Sequence, residues 1–377
     1  MKPLPHQQRI IDLDPKRAIL NWEARSGKSL PASIWIDQPH RTGNSFIITK
    51  KSNKRSWQNF ETGATVLSKE EFKKVSKDII NPTAIVVDEV HNFGSALFVK
   101  PRSQLATALY TLLKEYPDCE FLGLSATPVR NSPWSFHTLL CYLGVYIPWK
   151  EWRSEFFELV HMPFMKFPGW LPKSNWRELM VPYVAQYTDI VALKDVVNDL
   201  PPVASRIIKI KQKPYKKPTD ELTTWHSEHM WEQQNKYKEI LELGYKKVIC
   251  VCYYTAQLDE LAAQLTDKPV FILDGRTKDP EAVIAAAQAT DECYLLVQSS
   301  CGEGWDGWQF GAMVFCSMDH SYVSNTQMHG RQRHPKYLRD IEIIYIVGGR
   351  WDQRILDAYH NAENFNPHTT TNFTETD

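Results

Sequence analysis

The stretch RAILNWEARSGKSLPAS, residues 17–33, has the order of a phosphate-binding loop: a short apolar run, a polar loop and the start of a helix. The usual pattern is G-x-x-x-x-G-K-[S/T]. Gly27, Lys28 and Ser29 supply its second half, but Trp22 stands where the first glycine is expected. In such a loop Lys28 would reach the β- and γ-phosphates and Ser29 would bind Mg²⁺. The stretch predicts either a nucleotide site with a variant loop or a chance S-G-K-S in a surface turn.

Apolar runs alternate with helix-length segments on both sides of this loop and again late in the chain. The runs, rich in β-branched residues, are AILNW, SFIIT, ATVLS, TAIVVDE and EFLGLSAT, then KKVICVCYY, PVFILDG, CYLLVQSS, AMVFCSM and IEIIYIVGG. Strands that alternate with helices predict parallel sheets covered by helices on both faces. We therefore expect an α/β fold of two tandem doubly wound parallel-sheet domains.

The region between the two sets of runs is crowded with Trp, Phe and Pro and predicts a helical, aromatic-rich insertion and linker. The expected organisation is a first domain over 1–147, the insertion and linker over 148–215, a second domain over 216–361 and a flexible tail over 362–377. Four tryptophans of the insertion either stack on bases or, as is more usual, form the core of a small helical subdomain: Trp149, Trp152, Trp170 and Trp176.

Composition sets weaker limits. Lys plus Arg and Asp plus Glu are both 44, so the net charge neither favours nor excludes nucleic acid, whose backbone is recognised by a local basic groove. No run approaches the roughly 18 apolar residues of a membrane span, and the N-terminus lacks the apolar core of a secretory signal. We expect a cytoplasmic protein without membrane association. Its seven scattered cysteines, with no C-x-x-C pair, are expected to be reduced and mostly buried.

A second motif follows the predicted strand of TAIVVDEVHNFGSA, residues 83–96. Four apolar residues lead into Asp88 and Glu89, and His91 comes next. Charges at the carboxyl edge of a buried parallel strand usually serve a ligand there. Beside a phosphate loop, Asp88 would hold Mg²⁺ through water, and Glu89 would orient and deprotonate the attacking water. The alternative is a strand that runs into a polar turn.

These two motifs and six others along the chain resemble the superfamily 2 helicases and translocases. The resemblance is closest to the SWI/SNF-like branch in its compact bacteriophage form, of the DEAH/DExH type, and covers about residues 3–358. LPHQQRII resembles the leading motif, and EARSGKS resembles motif I, whose first glycine is often missing in this branch. The other motifs are FIITKKSNKRSWQNF (Ia), DEVH (II), LSATPVRNSPWSFHTLLCYLG (III), KVICVCYYTAQLDEL (IV), GEGWDG (V) and QMHGRQR (VI).

The resemblance implies an ATP-dependent DNA helicase or translocase that hydrolyses ATP, with Mg²⁺, in a cleft between two RecA-like domains. The implied ATP-binding residues are Gln7, Arg25, Ser26, Gly27, Lys28, Ser29 and Asp306. The implied catalytic residues are Lys28, Asp88, Glu89, Arg331 and Arg333, with Ser29 and Asp88 on the metal. The implied coupling residues are His91, Ser125, Ala126, Thr127 and Gln327.

The implied partner is DNA, as duplex, fork or single strand, which the enzyme would track along, anneal, unwind or branch-migrate. Contacts would be mostly to phosphate, so sequence preference should be slight. The candidate contact residues are Lys50, Lys51, Arg130, Tyr254, Thr255, Ser299 and Ser300. We expect a monomer, located in the host cytoplasm if the protein is phage-encoded.

Two stretches depart from the family pattern. The family's linker usually carries a basic cluster where this chain has AQYTD, residues 185–189. Motif VI usually reads Q-x-x-G-R-x-x-R. Arg331 fits its first arginine, but the next one is Arg333, and His334 takes the expected place. Arg331 is therefore the first candidate for the γ-phosphate contact.

Two other functions stay open on the sequence. One is an RNA-directed DExH helicase, because the Asp-Glu-x-His box occurs in enzymes of both nucleic acids. The other is a nucleic-acid-binding module whose ATPase has decayed into a regulatory switch, which the presence of Lys28, Asp88, Glu89 and Arg331 disfavours.

Overall fold

The computed structural model describes residues 2–95, 97, 103–129, 132–161, 169–196, 203–213, 215, 225–302, 305–333 and 340–361. The chain divides into two compact units, residues 1–198 and 199–377. None of the helices in these described ranges is long and apolar enough to cross a membrane.

The first unit alternates strands and helices along the chain. Its strands are β1 (Arg17–Trp22), β2 (Ser45–Thr49), β3 (Thr65–Ser68), β4 (Ala84–Asp88), β5 (Glu120–Ser125), β6 (Phe157–Val160), β7 (Gly169–Pro172) and β8 (Asp189–Val191). Its helices are α1 (Pro5–Leu13), α2 (Ser29–Ile36), α3 (Lys54–Gln58), α4 (Lys69–Val75), α5 (Gln104–Glu115), α6 (Pro133–Tyr142), α7 (Trp149–Phe156) and α8 (Trp176–Tyr187). Its 3-10 turns are Pro39–Arg41, Lys51–Asn53, Val90–Phe93 and Leu193–Asp195.

Six parallel strands form the sheet of the first unit, in the order β3-β2-β4-β5-β1-β8. Their near-continuous apolar sequences fit a sheet that is covered on both faces. In β4, Ile85 and Val87 pack into the core on one face, whereas Val86 packs into the core on the other. Because all six strands are parallel, the loops that follow β1, β4 and β5 leave from the same edge.

The aromatic-rich segment after α6 is mostly core. Trp152 and Trp176 are buried among the side chains of the first unit's larger core, which confirms the core interpretation for these two residues. Trp149 stacks on Trp134 with ring centroids 4.4 Å apart. Trp170 is more exposed and lies on the antiparallel hairpin β6–β7, which the sequence did not predict.

The second unit repeats the alternation. Its strands are β9 (Val203–Lys209), β10 (Lys247–Cys252), β11 (Val270–Leu273), β12 (Cys293–Gln298), β13 (Ala312–Phe315) and β14 (Ile341–Val347). Its helices are α9 (Trp225–Glu232), α10 (Tyr237–Glu242), α11 (Thr255–Gln264), α12 (Pro280–Ala289), α13 (Tyr322–His329) and α14 (Arg350–His360), with a 3-10 turn at Ser299–Cys301. The sheet is again parallel, in the order β11-β12-β10-β13-β14-β9.

The predicted α/β class is confirmed, and each predicted apolar run forms a strand. Two further strands come from the region that the sequence assigned to the linker: β8 joins the first sheet beside β1, and β9 joins the second beside β14. All seven cysteines are free, and all but the partly exposed Cys301 are buried, as expected.

A buried ion pair joins α10 to α14 in the second unit. Lys236 Nζ lies 2.5 Å from Asp352 Oδ2, and His229 Nε2 lies 2.9 Å from Asp352 Oδ1. Burial acts to raise the pKa of Asp352, but Lys236 and the hydrogen bond from His229 outweigh it and hold that pKa at about 2. His229, Glu232 and Asp352 are close enough to chelate a metal ion. The Lys236 ammonium already supplies the cation, so we interpret the cluster as structural.

Replacement of Lys236 by methionine should destabilise the second unit strongly. The substitution leaves Asp352 buried without its cation, which typically costs about 3–5 kcal/mol. Urea unfolding would measure the loss. Lys246→Met is the control, because Lys246 has an 81% exposed side chain and pairs with Glu292 only at 3.8 Å. Equal stability of the two variants would contradict the interpretation.

Candidate functional site

The predicted phosphate loop connects β1 to α2. Arg25 and Gly27 have positive φ angles of 72° and 82°. Left-handed residues in a loop before a helix produce the concave backbone that binds anions. The positive φ of Gly27 favours glycine there, and a Cβ would also lie 2.4 Å from Nε2 at the movable end of the Gln7 side chain. The segment is therefore a built loop rather than a loose surface turn.

Two side chains of α1 hold this loop. Gln7 Nε2 donates to the Gly27 carbonyl at 3.0 Å, while its Oε1 accepts from Leu4 N–H at 2.8 Å. His6 Nε2 lies 2.9 Å from the Ser26 carbonyl oxygen. Gln7, expected at adenine, thus lies directly against the loop. His6 was not predicted, because nothing in its local sequence distinguishes it from a surface histidine.

The two ends of the loop are joined by Lys28. Its ammonium donates to the Trp22 carbonyl at 2.7 Å and to the Glu23 carbonyl at 3.4 Å. Ser26 Oγ donates to the same Glu23 carbonyl at 2.7 Å. The Trp22 side chain is fully buried in the core beneath the sheet. The indole therefore lies in the core and takes up no space inside the loop. This explains how tryptophan can occupy the usual place of a glycine. Ser29 opens α2 directly after Lys28.

Asp88, the last residue of β4, has a carboxylate oriented by the segment after β2. Its Oδ2 accepts from Thr49 Oγ1 at 2.8 Å, Trp57 Nε1 at 3.0 Å and Asn53 Nδ2 at 3.4 Å. All three residues lie in the predicted motif Ia, but their contacts with Asp88 were not predicted. In the same segment Lys50 is half-buried and Lys51 is exposed.

Motifs II and III are connected by hydrogen bonds. Glu89 has the left-handed angles φ 53° and ψ 54°, which are uncommon for a residue with a side chain. Its Oε2 lies 3.2 Å from His91 Nδ1, which lies 2.8 Å from Ser125 Oγ. Ser125 Oγ also accepts from Thr127 N–H at 3.0 Å. The predicted coupling residues of this unit thus meet at the ends of β4 and β5, with Ala126 between Ser125 and Thr127.

The arrangement fits a magnesium–nucleotide complex. In the sheet β5 lies between β1 and β4, so the phosphate loop, the coupling residues and the acidic pair leave adjacent strands at one edge. Lys28 supplies a cation for phosphate, and the Ser29 hydroxyl and Asp88 carboxylate are the hard oxygen ligands that Mg²⁺ prefers. Thr127 Oγ1 is buried and, within the part of the chain that the structure describes, has no hydrogen-bond partner.

Motifs V and VI meet in the second unit. Arg331 NH1 donates to the Trp305 carbonyl at 2.9 Å, and the Arg331 carbonyl accepts from Gly307 N–H at 2.9 Å. Asp306 lies between these two partners, half-buried, and its carbonyl accepts from Gln288 Nε2 at 2.8 Å.

Helix α13 carries the first three residues of motif VI. Gln327 lies on α13 with little exposure. Burial, with the charges of Arg333 and His360, lowers the pKa of His329 to about 3, so this side chain is neutral near pH 7. His334, the other candidate for the second position of motif VI, lies outside the described residues.

The nucleic-acid candidates of the second unit follow β10 and β12, which are neighbours in the sheet. Tyr254 is buried, and its hydroxyl lies 2.8 Å from His229 Nδ1; burial raises its pKa. Ser299 is also buried and donates to Asp319 Oδ2 at 2.9 Å. Thr255 is half-buried and Ser300 is exposed, so these two are better placed for an external ligand.

Arg130, the remaining candidate, lies outside the described residues, as do Glu303 and Gly304 of motif V. In the first unit the structure therefore places the loop, the coupling residues and Asp88 at the ends of adjacent strands, with Gln7 bonded to the loop. In the second unit it brings together Asp306 and Arg331.

No protein-family model matches the chain, and no curated protein matches it. Among solved structures, the chain is similar to the SWI2/SNF2 ATPase core of Sulfolobus solfataricus in complex with double-stranded DNA. The TM-score is 0.44 and the identity 13%, over 95% of this chain and 90% of that one. The function of the chain is therefore inferred from its own residues.

Proposed function

We propose that the protein is a nucleic-acid-stimulated ATPase that uses ATP hydrolysis to move along or remodel DNA, as a superfamily 2 helicase or translocase of the SWI/SNF-like branch. The observation that carries this proposal is the meeting of three groups at one edge of the first sheet. They are the Lys28 loop, the oriented Asp88 carboxylate and the Glu89–His91–Ser125 series of contacts. Each element is expected for phosphoryl transfer to water.

The residues of the first unit would act in sequence on a bound nucleotide. The Lys28 ammonium would leave the carbonyls of Trp22 and Glu23 and donate to phosphate oxygens instead. The backbone of Lys28 would stay where it is in the loop. Bound Mg²⁺, held by Ser29 and Asp88, would neutralise charge on the β- and γ-phosphates. Glu89 would orient the attacking water and take its proton.

The second unit would supply the charge that makes hydrolysis fast. In the resembled family, arginines of motif VI act on the nucleotide held by the first domain, and here these are Arg331 and, second, Arg333. An arginine that stabilises the transition state contributes about 10³–10⁵ in rate. Hydrolysis would therefore depend on a conformational cycle that brings the arginine to the phosphates and later withdraws it, and this cycle would drive movement.

DNA would be bound mainly through its phosphates. The candidates with enough exposure to contact DNA are Lys50 and Lys51 in the first unit and Thr255 and Ser300 in the second. Contacts of this kind position the duplex without reading its sequence, so sequence preference should be slight.

Two variants separate nucleotide binding from hydrolysis. Lys28→Ala should weaken ATP binding and lower turnover by at least about a hundredfold, because the phosphate charge loses its cation. Glu89→Gln should bind ATP normally but lose turnover by about 10²–10⁴, because only the proton acceptor is removed. Phosphate release and binding of a fluorescent ATP analogue measure the two effects, with Lys246→Ala as the exposed control. The proposal fails if wild-type protein hydrolyses ATP no faster than Lys28→Ala with any nucleic acid.

Arg331→Ala should lower turnover by about 10³ with little change in ATP binding, because its charge acts in the transition state. Arg333→Ala should have a smaller effect. The same two assays measure this. A larger loss in Arg333→Ala than in Arg331→Ala would reverse the assignment of motif VI.

Stimulation by nucleic acid should favour DNA. Turnover measured side by side with single-stranded DNA, duplex, forked DNA and RNA should be highest with a form of DNA and should change little with sequence. Binding should weaken as salt rises, and Lys51→Ala should reduce the slope of log K against log salt by about one if Lys51 contacts a phosphate. Greater stimulation by RNA than by any DNA would replace this proposal with an RNA-directed helicase.

A further inference from the structure

One departure of this chain from the family pattern is in contact with the residue that takes the place of the first loop glycine. Trp22 replaces the first glycine of the phosphate loop, and Asp189 ends the AQYTD stretch where the family's basic cluster is expected. The Trp22 indole N–H donates to Asp189 Oδ1 at 2.5 Å. Trp22 is fully buried, and the Asp189 side chain is only 16% exposed. The bond is therefore shielded from water. A hydrogen bond to a charged acceptor is stronger when it is shielded in this way.

The same carboxylate holds α1. Arg9 binds Asp189 through both terminal nitrogens, NH1 to Oδ2 at 2.6 Å and NH2 to Oδ1 at 2.9 Å. This is the planar, bidentate geometry of a specific arginine–carboxylate pair. The helix that carries Arg9 also carries His6 and Gln7, which bind the carbonyls of the loop. Asp189 thus joins the end of β1 to the helix that covers the loop.

The chain beyond Asp189 is tied to the loop as well. Strand β8 pairs with β1, so that Trp22 lies opposite Val191. Glu23 N–H donates to the Val191 carbonyl at 2.9 Å, and Glu23 Oε2 accepts from Leu193 N–H at 2.8 Å. The carbonyls of Trp22 and Glu23 are the acceptors of Lys28. The segment from Asp189 to Leu193 therefore fixes the two residues that hold the catalytic lysine.

We propose that Asp189 is a positioning residue for the phosphate loop, acting through Trp22 and Arg9. A glycine at position 22 would allow a tight turn at the end of β1. In this chain the end of β1 is instead fixed by the Trp22 side chain, which is bonded to the Asp189 carboxylate. Strand β8 and the turn after it then connect the loop to the segment that leads into the second unit. The inference rests on the proposed ATPase activity for its kinetic consequence, but its structural consequence can be measured without ATP.

Loss of Asp189 should weaken ATP binding more than it slows hydrolysis. The catalytic groups stay in place, but a looser loop must be ordered when the nucleotide binds. We expect Asp189→Ala to raise KM for ATP by about tenfold, the value of one charge-assisted hydrogen bond, with kcat within about threefold of wild type. Asp189→Asn, which keeps an acceptor for the indole, should have a smaller effect. Trp22→Phe, which removes the donor together with one ring of the buried indole, should raise KM by about the same factor as Asp189→Ala.

The decisive measurement is a double-mutant cycle on KM and on fluorescent ATP-analogue binding. If the two residues act through their shared bond, Trp22→Phe combined with Asp189→Ala should be little worse than either variant alone. Asp12→Asn is the matched control, because Asp12 is a hydrogen-bonded, exposed carboxylate on the same helix α1. Multiplicative effects in the double variant, or an equal effect of the control, would overturn the proposal.

Hydrogen exchange of the nucleotide-free protein separates this inference from the proposed function. In Asp189→Ala, amides of residues 22–29 should exchange faster while those of the second unit are unchanged. If Asp189→Ala exchanges faster than wild type but the wild-type protein shows no ATPase activity, the positioning role stands and the proposed function is removed. Wild-type exchange and wild-type KM in Asp189→Ala, in a protein that hydrolyses ATP, would remove the positioning role alone.

Discussion

The chemistry of the first unit depends on the parallel pairing of β4, β5 and β1. The register sets Asp88 opposite Leu124 and Asn21 opposite Ser125, so the residues after each strand emerge at the same level of the sheet. A slip of one residue in any of these pairs would turn the side chains to the other face. Strand β4 packs apolar side chains into cores on both faces of the sheet, so a slip would break that packing. The core packing that fixes this register therefore also sets where the candidate site residues leave the sheet.

Much of the fold follows from local sequence. Runs of β-branched residues gave each of the predicted strands, since such runs suit a buried parallel sheet. Strand β8 has only three residues, and most of β9 is exposed, so neither produces an apolar run. Hairpin β6–β7 mixes exposed apolar and charged side chains and carries no clear alternation. Strands β8 and β9 form because each pairs with a strand of a larger sheet, whereas β6 and β7 pair with each other in a separate hairpin. The pairing of β8 and β9 is a property of the tertiary structure.

The candidate site divides in the same way. The loop, Asp88 and Glu89 were predictable because each follows directly from a strand and its next few residues. The side chains that orient them were not, because Thr49, Asn53 and Trp57 reach Asp88 from 31 to 39 positions away, and Asp189 reaches Trp22 from 167. The periodicity of apolar residues predicts which face of a strand or helix a side chain lies on. It does not predict which distant polar group that side chain will contact.

The buried indole of Trp22 also limits how this chain could change over generations. A return to glycine at this position would not restore an ordinary phosphate loop. It would open a void in a closely packed core and leave the carboxylate of Asp189 without its donor. A basic residue at position 189 would place a second positive charge beside Arg9 in place of an acid. Loss of either Trp22 or Asp189 alone would remove the hydrogen bond that they share, so the effects of substitutions at these two positions are not independent.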